Sequence, residues 1–150
     1  MDLKLFFSNY LLIVPVLSWS AAQGIKTVLY VIMNRRFSVE RLIGAGGWPS
    51  SHSALVCAMF LAAAKKYGVE SPVFALAFLL ALIVMYDAMG VRRETGEQSK
   101  VLNLIIADIR NEKKEFDYER RFKEMIGHTP FQVMSGAVLG ILVALLAPVF

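Results

Sequence analysis

Four apolar stretches, separated by charged or glycine-containing segments, constrain this chain more than any other feature. They cover residues 5–33, 51–67, 72–91 and 130–150. A helix needs about 20 apolar residues to cross the ~30 Å hydrocarbon core of a bilayer, and the second stretch is short by that measure. The pattern predicts an all-α fold, namely an integral membrane helical bundle with about four transmembrane helices.

The composition agrees with a lipid environment. Hydrophobic residues make up 57% of the 150 residues and the mean hydropathy is +0.55, whereas soluble domains are roughly 45–50% apolar. Because apolar runs dominate, the net charge of +4 fits an anionic membrane surface and not nucleic acid. A chain of this length predicts a single membrane domain over residues 1–150, with the lipid bilayer as its partner and no nucleic acid.

Cysteine usage excludes two kinds of stabilising site. Cys57 is the one cysteine of the chain, so no internal disulfide can form, and its apolar surroundings indicate a small core residue. No Cys and His cluster has the spacing of a zinc site, and we expect no metal and no other cofactor. A cleaved signal peptide is disfavoured because Asp2 weakens the basic start and apolar character continues to Met33.

A charged segment, residues 94–127, separates the third and fourth stretches. Its apolar residues recur at helical spacing, at Leu102, Ile105, Ile106 and Ile109. This periodicity predicts an amphipathic cytoplasmic helical segment that lies along the membrane surface.

Two glycines in the last stretch have the spacing of a helix-packing motif. Gly136 and Gly140 are four residues apart, and small residues at this spacing allow close approach of two helices. Chance explains the pattern equally well. A homo-oligomer through Gly136 and Gly140 is one outcome that we expect if the motif is used.

The distribution of basic residues predicts the orientation. The segments after the first and third stretches together hold 12 Lys and Arg, and the opposite face holds 3. Lys and Arg are enriched in cytoplasmic loops. We therefore expect a multi-pass protein of the cell membrane whose basic face, and any site on it, lies on the cytoplasmic side.

Polar residues that are unusual for a membrane protein gather on this predicted cytoplasmic side. They fall at the start of the second stretch, at the end of the third and at the start of the fourth, with one lysine inside the first. Both histidines of the chain are among them. The candidate site residues are Lys26, Ser50, Ser51, His52, Asp87, Arg92, Arg93 and His128.

These residue types suit phosphate chemistry. A helix that begins at Ser50 or Ser51 presents free backbone N–H groups and the positive end of its dipole, which together bind anions. Arg92 and Arg93 carry planar donor groups that match phosphate oxygens. Histidine acts as a nucleophile or general acid near neutral pH. Asp87 lies near the end of a span, where a carboxylate is costly unless an arginine or a histidine pairs with it.

The same residues also have purely structural explanations. Ser50 and Ser51 are ordinary N-cap residues. Thr129 and Gln132 form a T-x-x-Q capping box, the two arginines can anchor a helix end, and Lys26 can extend its ammonium to the headgroups.

Three motifs, taken in order, resemble those of a known superfamily. They read Gly-Gly-Trp-Pro-Ser-Ser-His-Ser, Asp-Ala-Met-Gly-Val-Arg-Arg-x-x-Gly-x-Gln and Gly-His-Thr-Pro-Phe-Gln-Val. The ordered set resembles the divergent branch of the type-2 phosphatidic acid phosphatase superfamily, which is related to acid phosphatases and vanadium-dependent haloperoxidases. The resemblance runs from about Gln23 to Gly140.

The resemblance implies a nucleophile, a proton donor and a phosphate cradle. By motif position the nucleophile is His128 and the proton donor is His52. The matching phosphate-binding residues are Lys26, Ser50, Ser51 and Arg92 or Arg93, with Arg35 or Arg36 a looser match to a further arginine.

The chain departs from the superfamily pattern at two points. The arginine and the nucleophilic histidine of the third motif are usually a few residues apart, whereas the charged segment separates Arg93 from His128 here. An acidic residue normally follows the nucleophile by four positions, and here that position is Gln132. Asp87 is a candidate substitute, and without a substitute activity is expected to be weak or absent.

The leading hypothesis is a membrane phosphatase that acts on a phospholipid or polyprenyl phosphate through a phosphohistidine intermediate, without a metal. A second hypothesis is a non-catalytic membrane protein that keeps the fold and an anion site. A third is a small transporter subunit in which Lys26 and Asp87 line a path.

Overall fold

The described part of the chain is entirely helical apart from its connecting segments. The computed structural model describes residues 7–37, 47–112, 122 and 127–150. Within these residues it has no strand, which confirms the all-α prediction. The helices are α1 (Tyr10–Asn34), α2 (Ser51–Tyr67), α3 (Pro72–Met89), α4 (Val91–Glu112) and α5 (Pro130–Leu146).

Side-chain caps explain where four of the helices begin. An oxygen of the preceding Asn, Ser or Thr accepts an N–H from the first turn and so satisfies one of the donors that have no partner inside the helix. The cap residues are Asn9, Ser50, Ser71 and Thr129. As a result α1 begins at Tyr10, several residues after the predicted start at residue 5.

The helix ends also differ slightly from the predicted stretches. The third stretch was predicted to reach residue 91, but α3 stops at Met89 because Gly90 turns the chain into α4. The fourth was predicted to reach residue 150, but α5 stops at Leu146. Of the predicted segment 94–127, α4 takes the first part, and residues 113–121 and 123–126 lie outside the described residues.

Helix α2 is the centre of the bundle, because it packs against α1, α3 and α5. Among the described helices, α4 contacts only α3. In the sequence the second stretch was short for a membrane span, yet α2 is surrounded by three neighbouring helices.

The packing places small residues inside and large apolar residues outside. The buried set is dominated by alanine, serine and glycine, whereas Leu76, Ile83 and Leu146 are 70%, 65% and 83% exposed. Close packing through small residues with large apolar side chains facing outward is typical of helices surrounded by lipid. The chain is therefore a helical membrane bundle, as the apolar stretches predicted.

Two stretches are long and apolar enough to cross a membrane by length and composition. These are Tyr10–Asn34 and the 38-residue stretch Pro72–Ile109, which runs through α3 into α4. The helix Pro130–Leu146 is apolar but shorter. The residues Leu102, Ile105 and Ile109 of the predicted apolar face lie three and four positions apart within α4, and they are exposed, as expected for an amphipathic helix after α3.

The glycine motif of α5 serves an interface within the chain. A Cβ added to Gly136 would overlap the backbone oxygen of Ser50, and one added to Gly140 would overlap that of Ala54. The expectation of a homo-oligomer through Gly136 and Gly140 is therefore corrected, because α2 of the same chain already occupies this face. The close helix packing itself is present.

Candidate functional site

Two backbone hydrogen bonds bring the sequence motifs to one end of the bundle. The Ser50 N–H donates to the Gln132 carbonyl oxygen over 3.0 Å, which joins the starts of α2 and α5. The His128 N–H donates to the Ala88 carbonyl oxygen over 3.1 Å, which joins the end of α3 to the segment before α5. The three motifs, far apart in sequence, thus meet at one face.

Lys26 adds helix α1 to this face. Its side chain is only 7% exposed, and its Nζ donates to Ser51 Oγ over 3.0 Å. A Cβ on Gly47 would lie 3.9 Å from Lys26 Cδ, so the segment before α2 also passes beside the lysine. Within the described residues this is the one hydrogen bond shown for an ammonium that has three protons to donate.

The two serines at the start of α2 have different contacts. Ser50 caps the helix, and Ser51 contacts Lys26. Ser50 is the N-cap: its Oγ accepts from Ser53 N over 3.3 Å and from Ser53 Oγ over 2.9 Å, and its own N–H is bound to Gln132. Ser51 places its hydroxyl on Lys26, and its N–H is at the first helical position, where no acceptor exists within the helix. The structural explanation thus holds for Ser50, whose role as a phosphate ligand remains a prediction, whereas Ser51 faces the lysine.

His128 is buried at the junction of α3 and α5. It is 4% exposed, between Gly127, whose φ of +104° favours glycine, and the cap residue Thr129. Its backbone contact, Ala88, directly follows Asp87, which is partly buried in the last turn of α3. The fold therefore brings Asp87 and His128 to the same junction.

His52 and the arginines complete the predicted set. His52 is partly buried in the first turn of α2, directly after Ser51. Arg92 and Arg93 lie in the first turn of α4, immediately beyond α3, and their side chains lie outside the described part of the structure. Arg35 and Arg36 follow α1 and are exposed.

Gln132 belongs to the capping box that the sequence suggested. Its Oε1 accepts the Thr129 N–H over 3.1 Å, and its own N–H donates to Thr129 Oγ1 over 3.3 Å, with Pro130 in the first turn. The side-chain oxygen of the residue at the superfamily's acidic position therefore accepts a hydrogen bond from the cap residue of α5.

Sequence reasoning missed an aromatic pair at the edge of the site. The rings of Trp48 and Phe131 stack, with centroids 6.1 Å apart and planes 8° from parallel. It also missed the hydrogen bond from Ser18 Oγ to the Ala54 carbonyl oxygen over 3.1 Å, which joins α1 to α2 in the buried interior. Each of these residues has an ordinary structural role in isolation, so only the fold reveals the contacts.

No group of three or more His, Cys, Asp or Glu side chains is placed to hold a metal ion within the described ranges 7–37, 47–112, 122 and 127–150. The predicted site residues with described side chains are Lys26, Ser50, Ser51, His52, Asp87 and His128.

Comparisons with known proteins agree with the motifs. The family model described as "Divergent PAP2 family" matches residues 7–143. The chain is similar to the protein named "Uncharacterized membrane protein YuiD" from Bacillus subtilis (strain 168), with 36% identity over 95% of this chain and 96% of that protein. No solved structure matches.

Proposed function

Since this chain belongs to the divergent PAP2 family, we propose that it is a membrane-embedded phosphatase that hydrolyses the phosphate monoester or diphosphate of a lipid. The proposed route passes through a phosphohistidine on His128. The proposed substrate is a phospholipid or polyprenyl phosphate, reached from the cytoplasmic side of the cell membrane.

The observation that carries the proposal is the buried contact between Lys26 and Ser51 at the start of α2. A buried ammonium is costly unless a counter-charge or several acceptors compensate it. Ser51 supplies one neutral acceptor. A phosphate dianion beside Lys26 would supply the missing negative charge, and the N-terminus of α2 would bind the same group through its dipole and its N–H donors.

The remaining residues suit a two-step transfer. In the first step a nitrogen of His128 bonds to phosphorus while the bond from phosphorus to the lipid oxygen breaks, and His52 gives its proton to that oxygen. In the second step His52 takes a proton from water, the water oxygen bonds to phosphorus, and the N–P bond breaks to release inorganic phosphate. Both histidines return to their starting state, and no step requires a metal.

The other groups would stabilise charge in these steps. Lys26, Ser51 and the arginines Arg92 and Arg93 are proposed to bind the phosphoryl oxygens, because phosphoryl transfer depends mainly on positioned cations and N–H donors. Asp87 is proposed to orient His128 in place of the superfamily's acidic residue. Support comes from its neighbour Ala88, whose carbonyl oxygen accepts the His128 N–H at the α3–α5 junction.

A second function, anion binding without turnover, is favoured by one observation. The residue at the usual acidic position is Gln132, and its side-chain oxygen is bound to Thr129 N–H. If Asp87 does not replace the missing acid, the protein would bind phosphate and hydrolyse it poorly or not at all.

The test is phosphate release from a panel of lipid phosphates by the purified protein in detergent micelles that contain EDTA. We expect wild type to be active and His128→Ala to lose turnover, with vanadate binding retained in both because the cradle is intact. Tyr67→Ala, which alters an exposed residue at the opposite end of the bundle, is the matched control. Full activity in His128→Ala would exclude this route, and vanadate binding without turnover in wild type would establish the anion-binding function instead.

A further inference from the structure

Two exposed aromatic side chains, Trp48 and Phe131, stack beside the candidate phosphate site and are named here the aromatic wall. Trp48 is 41% and Phe131 is 70% exposed, although their rings stack on each other. Trp48 directly follows Gly47, which lies beside the Lys26 side chain. Phe131 directly precedes Gln132, whose carbonyl oxygen binds Ser50.

This pair differs from a cluster of three phenylalanines in the bundle. Phe60 of α2 packs edge-on against Phe74 and Phe78 of α3, with centroid distances of 6.3 and 5.5 Å, and so joins two helices. In the pair of Trp48 and Phe131, Phe131 is 70% exposed, whereas Trp48 at 41% is about as exposed as Phe78 at 39%. The rings of this pair lie at the start of α2 and α5, where Ser50 already joins the two helices.

The position of the wall points to an amphiphilic ligand. Successive Cα atoms are ~3.8 Å apart, so Trp48 and Ser51 are separated by at most ~11 Å along the backbone. A phosphate held at Lys26 and Ser51 would therefore place the first methylene groups of an attached hydrocarbon chain within reach of the rings. A cationic site that adjoins an apolar surface is complementary to a charged head joined to an apolar tail.

We propose that Trp48 and Phe131 are specificity-determining residues that bind the start of the hydrocarbon chain of a lipid phosphate. The inference rests on the proposed function for its phosphate site. The wall selects phosphates that carry a long chain over soluble phosphomonoesters, because only a long chain has extended apolar surface to bury against the rings. An alternative role for these rings is membrane anchoring, since Trp and aromatic residues gather at the interface whatever the headgroup.

A kinetic test compares a long-chain lipid phosphate in mixed micelles with a soluble short-chain phosphomonoester. Trp48→Ala and Phe131→Ala should each raise KM for the long-chain substrate about tenfold, which corresponds to ~1.4 kcal/mol, and leave KM for the short-chain substrate unchanged. Tyr67→Ala removes an aromatic residue that is 51% exposed at the opposite end and should change neither KM. An equal change for both substrates in the wall variants would overturn the proposal.

A binding test is independent of turnover. The chain has 2 tryptophans, so Trp19→Phe leaves Trp48 as the single tryptophan, which can be excited selectively. Brominated phosphatidate and brominated phosphatidylcholine, each a minor component of unlabelled vesicles, report how often a chain of each lipid contacts Trp48. We expect stronger quenching by phosphatidate than by phosphatidylcholine. This preference should be retained in His128→Ala and lost in Lys26→Met.

The outcomes separate the two proposals. Equal quenching by both lipids would show that the rings only anchor the protein in the membrane, and would leave the phosphatase proposal standing. Preferential quenching by phosphatidate in a protein without turnover would support the chain-binding wall and refute the hydrolytic step. A preference for phosphatidate that is unchanged in Lys26→Met would overturn the link between the wall and the phosphate site.

Discussion

Lys26 and Lys65 lie near opposite ends of the same bundle and are used differently. Lys65 Nζ donates to the carbonyl oxygens of Ala144, Leu145 and Ala147 over 2.8, 3.2 and 2.6 Å. Lys26 Nζ donates to one hydroxyl oxygen among the described residues. The backbone thus supplies three acceptors to Lys65, whereas a side chain supplies the acceptor shown for Lys26 among the described residues.

The difference follows from how α2 and α5 are arranged. The two helices run parallel, because Ser50 meets Gln132 at their starts and Lys65 meets Ala144 at their ends. Two positive dipole ends therefore lie together at one face, and two sets of unsatisfied carbonyl oxygens lie together at the other. At the carbonyl end, lysine side chains of the same chain donate to the carbonyl oxygens. The N–H end is suited to an external anion.

The largest difference that we expect between the two ends is in cysteine labelling from outside the cell, which should occur at one end and not at the other. With Cys57 replaced by alanine, Phe37→Cys is placed on the site side and Val69→Cys on the other; the native residues are 62% and 65% exposed. A membrane-impermeant thiol reagent added to intact cells should label the cysteine at 69 and not that at 37. Labelling of 37 alone would reverse the orientation and place the site outside the cell.

The comparison of the lysines predicts a large loss of activity at the site end. Lys26→Met keeps the length of the side chain and removes its charge, so we expect lipid phosphatase activity to fall ~10²–10³-fold, as for loss of one preorganised donor. The unfolding temperature should not fall, because a buried charge is removed. Activity within twofold of wild type would show that Lys26 has no catalytic use.

The glycines that join the parallel helices predict a loss of stability. Gly136→Ala and Gly140→Ala would push a methyl group into the backbone of α2, which typically costs 1–3 kcal/mol, and we expect about 3 or more here. Gly24→Ala is the matched control, because nothing lies within 4 Å of its added Cβ, and helix propensity predicts a gain of up to ~1 kcal/mol. Unfolding in detergent by circular dichroism measures all three. Equal effects at the three positions would contradict the proposed close packing.

At the carbonyl end we expect a moderate effect that is confined to stability. Lys65→Met leaves three carbonyl oxygens without their charged donor, and hydrogen bonds to charged groups contribute ~1.5–3 kcal/mol each at most. We expect a total loss of about 2 kcal/mol because water can reach this end, with kcat of the folded protein unchanged. A change in kcat that matches that of Lys26→Met would abolish the distinction between the two ends.

The smallest effect is expected at Gln132. Glutamate serves as well as glutamine at the third position of a capping box, so Gln132→Glu should change stability by less than ~0.5 kcal/mol. If the position still affects His128, the new carboxylate should raise activity, and otherwise activity should stay the same. A marked loss of activity would mean that a negative charge there disturbs phosphate binding, which the site as proposed does not predict.

Much of this fold could be predicted from local sequence patterns. The features that could not be predicted depend on long-range contacts. Thr129 followed by Pro130 and Gln132 gave a helix start that the structure confirms, because a cap involves only neighbouring residues. Apolar length and periodicity likewise indicated the membrane helices. The partner of Gly136 was not predictable, since nothing near it in sequence shows whether α2 or a second chain would approach.

The site was likewise predicted only in part. The residue types indicated phosphate, and the fold does bring Lys26 to Ser51 and the His128 segment to the end of α3. The sequence left two uses open for Ser50, and the hydrogen bonds of its N–H and Oγ show the structural one. The role of Ser50 could not be assigned from the sequence, because the acceptor of its N–H is the Gln132 carbonyl oxygen in the distant helix α5.

The hydrogen bond from Ser50 to Gln132 has a consequence for biosynthesis. A ribosome delivers α1 and α2 to the membrane well before α5 has been made, and α2 is the least apolar of the helices in the bundle core. During that interval Lys26 and Ser51 are already present, but His128 and the glycine face that covers α2 are not. We therefore expect an unfinished chain to be inactive and easily cleared by membrane quality control. Phosphate chemistry would begin only when the last helix inserts and completes both the packing and the site.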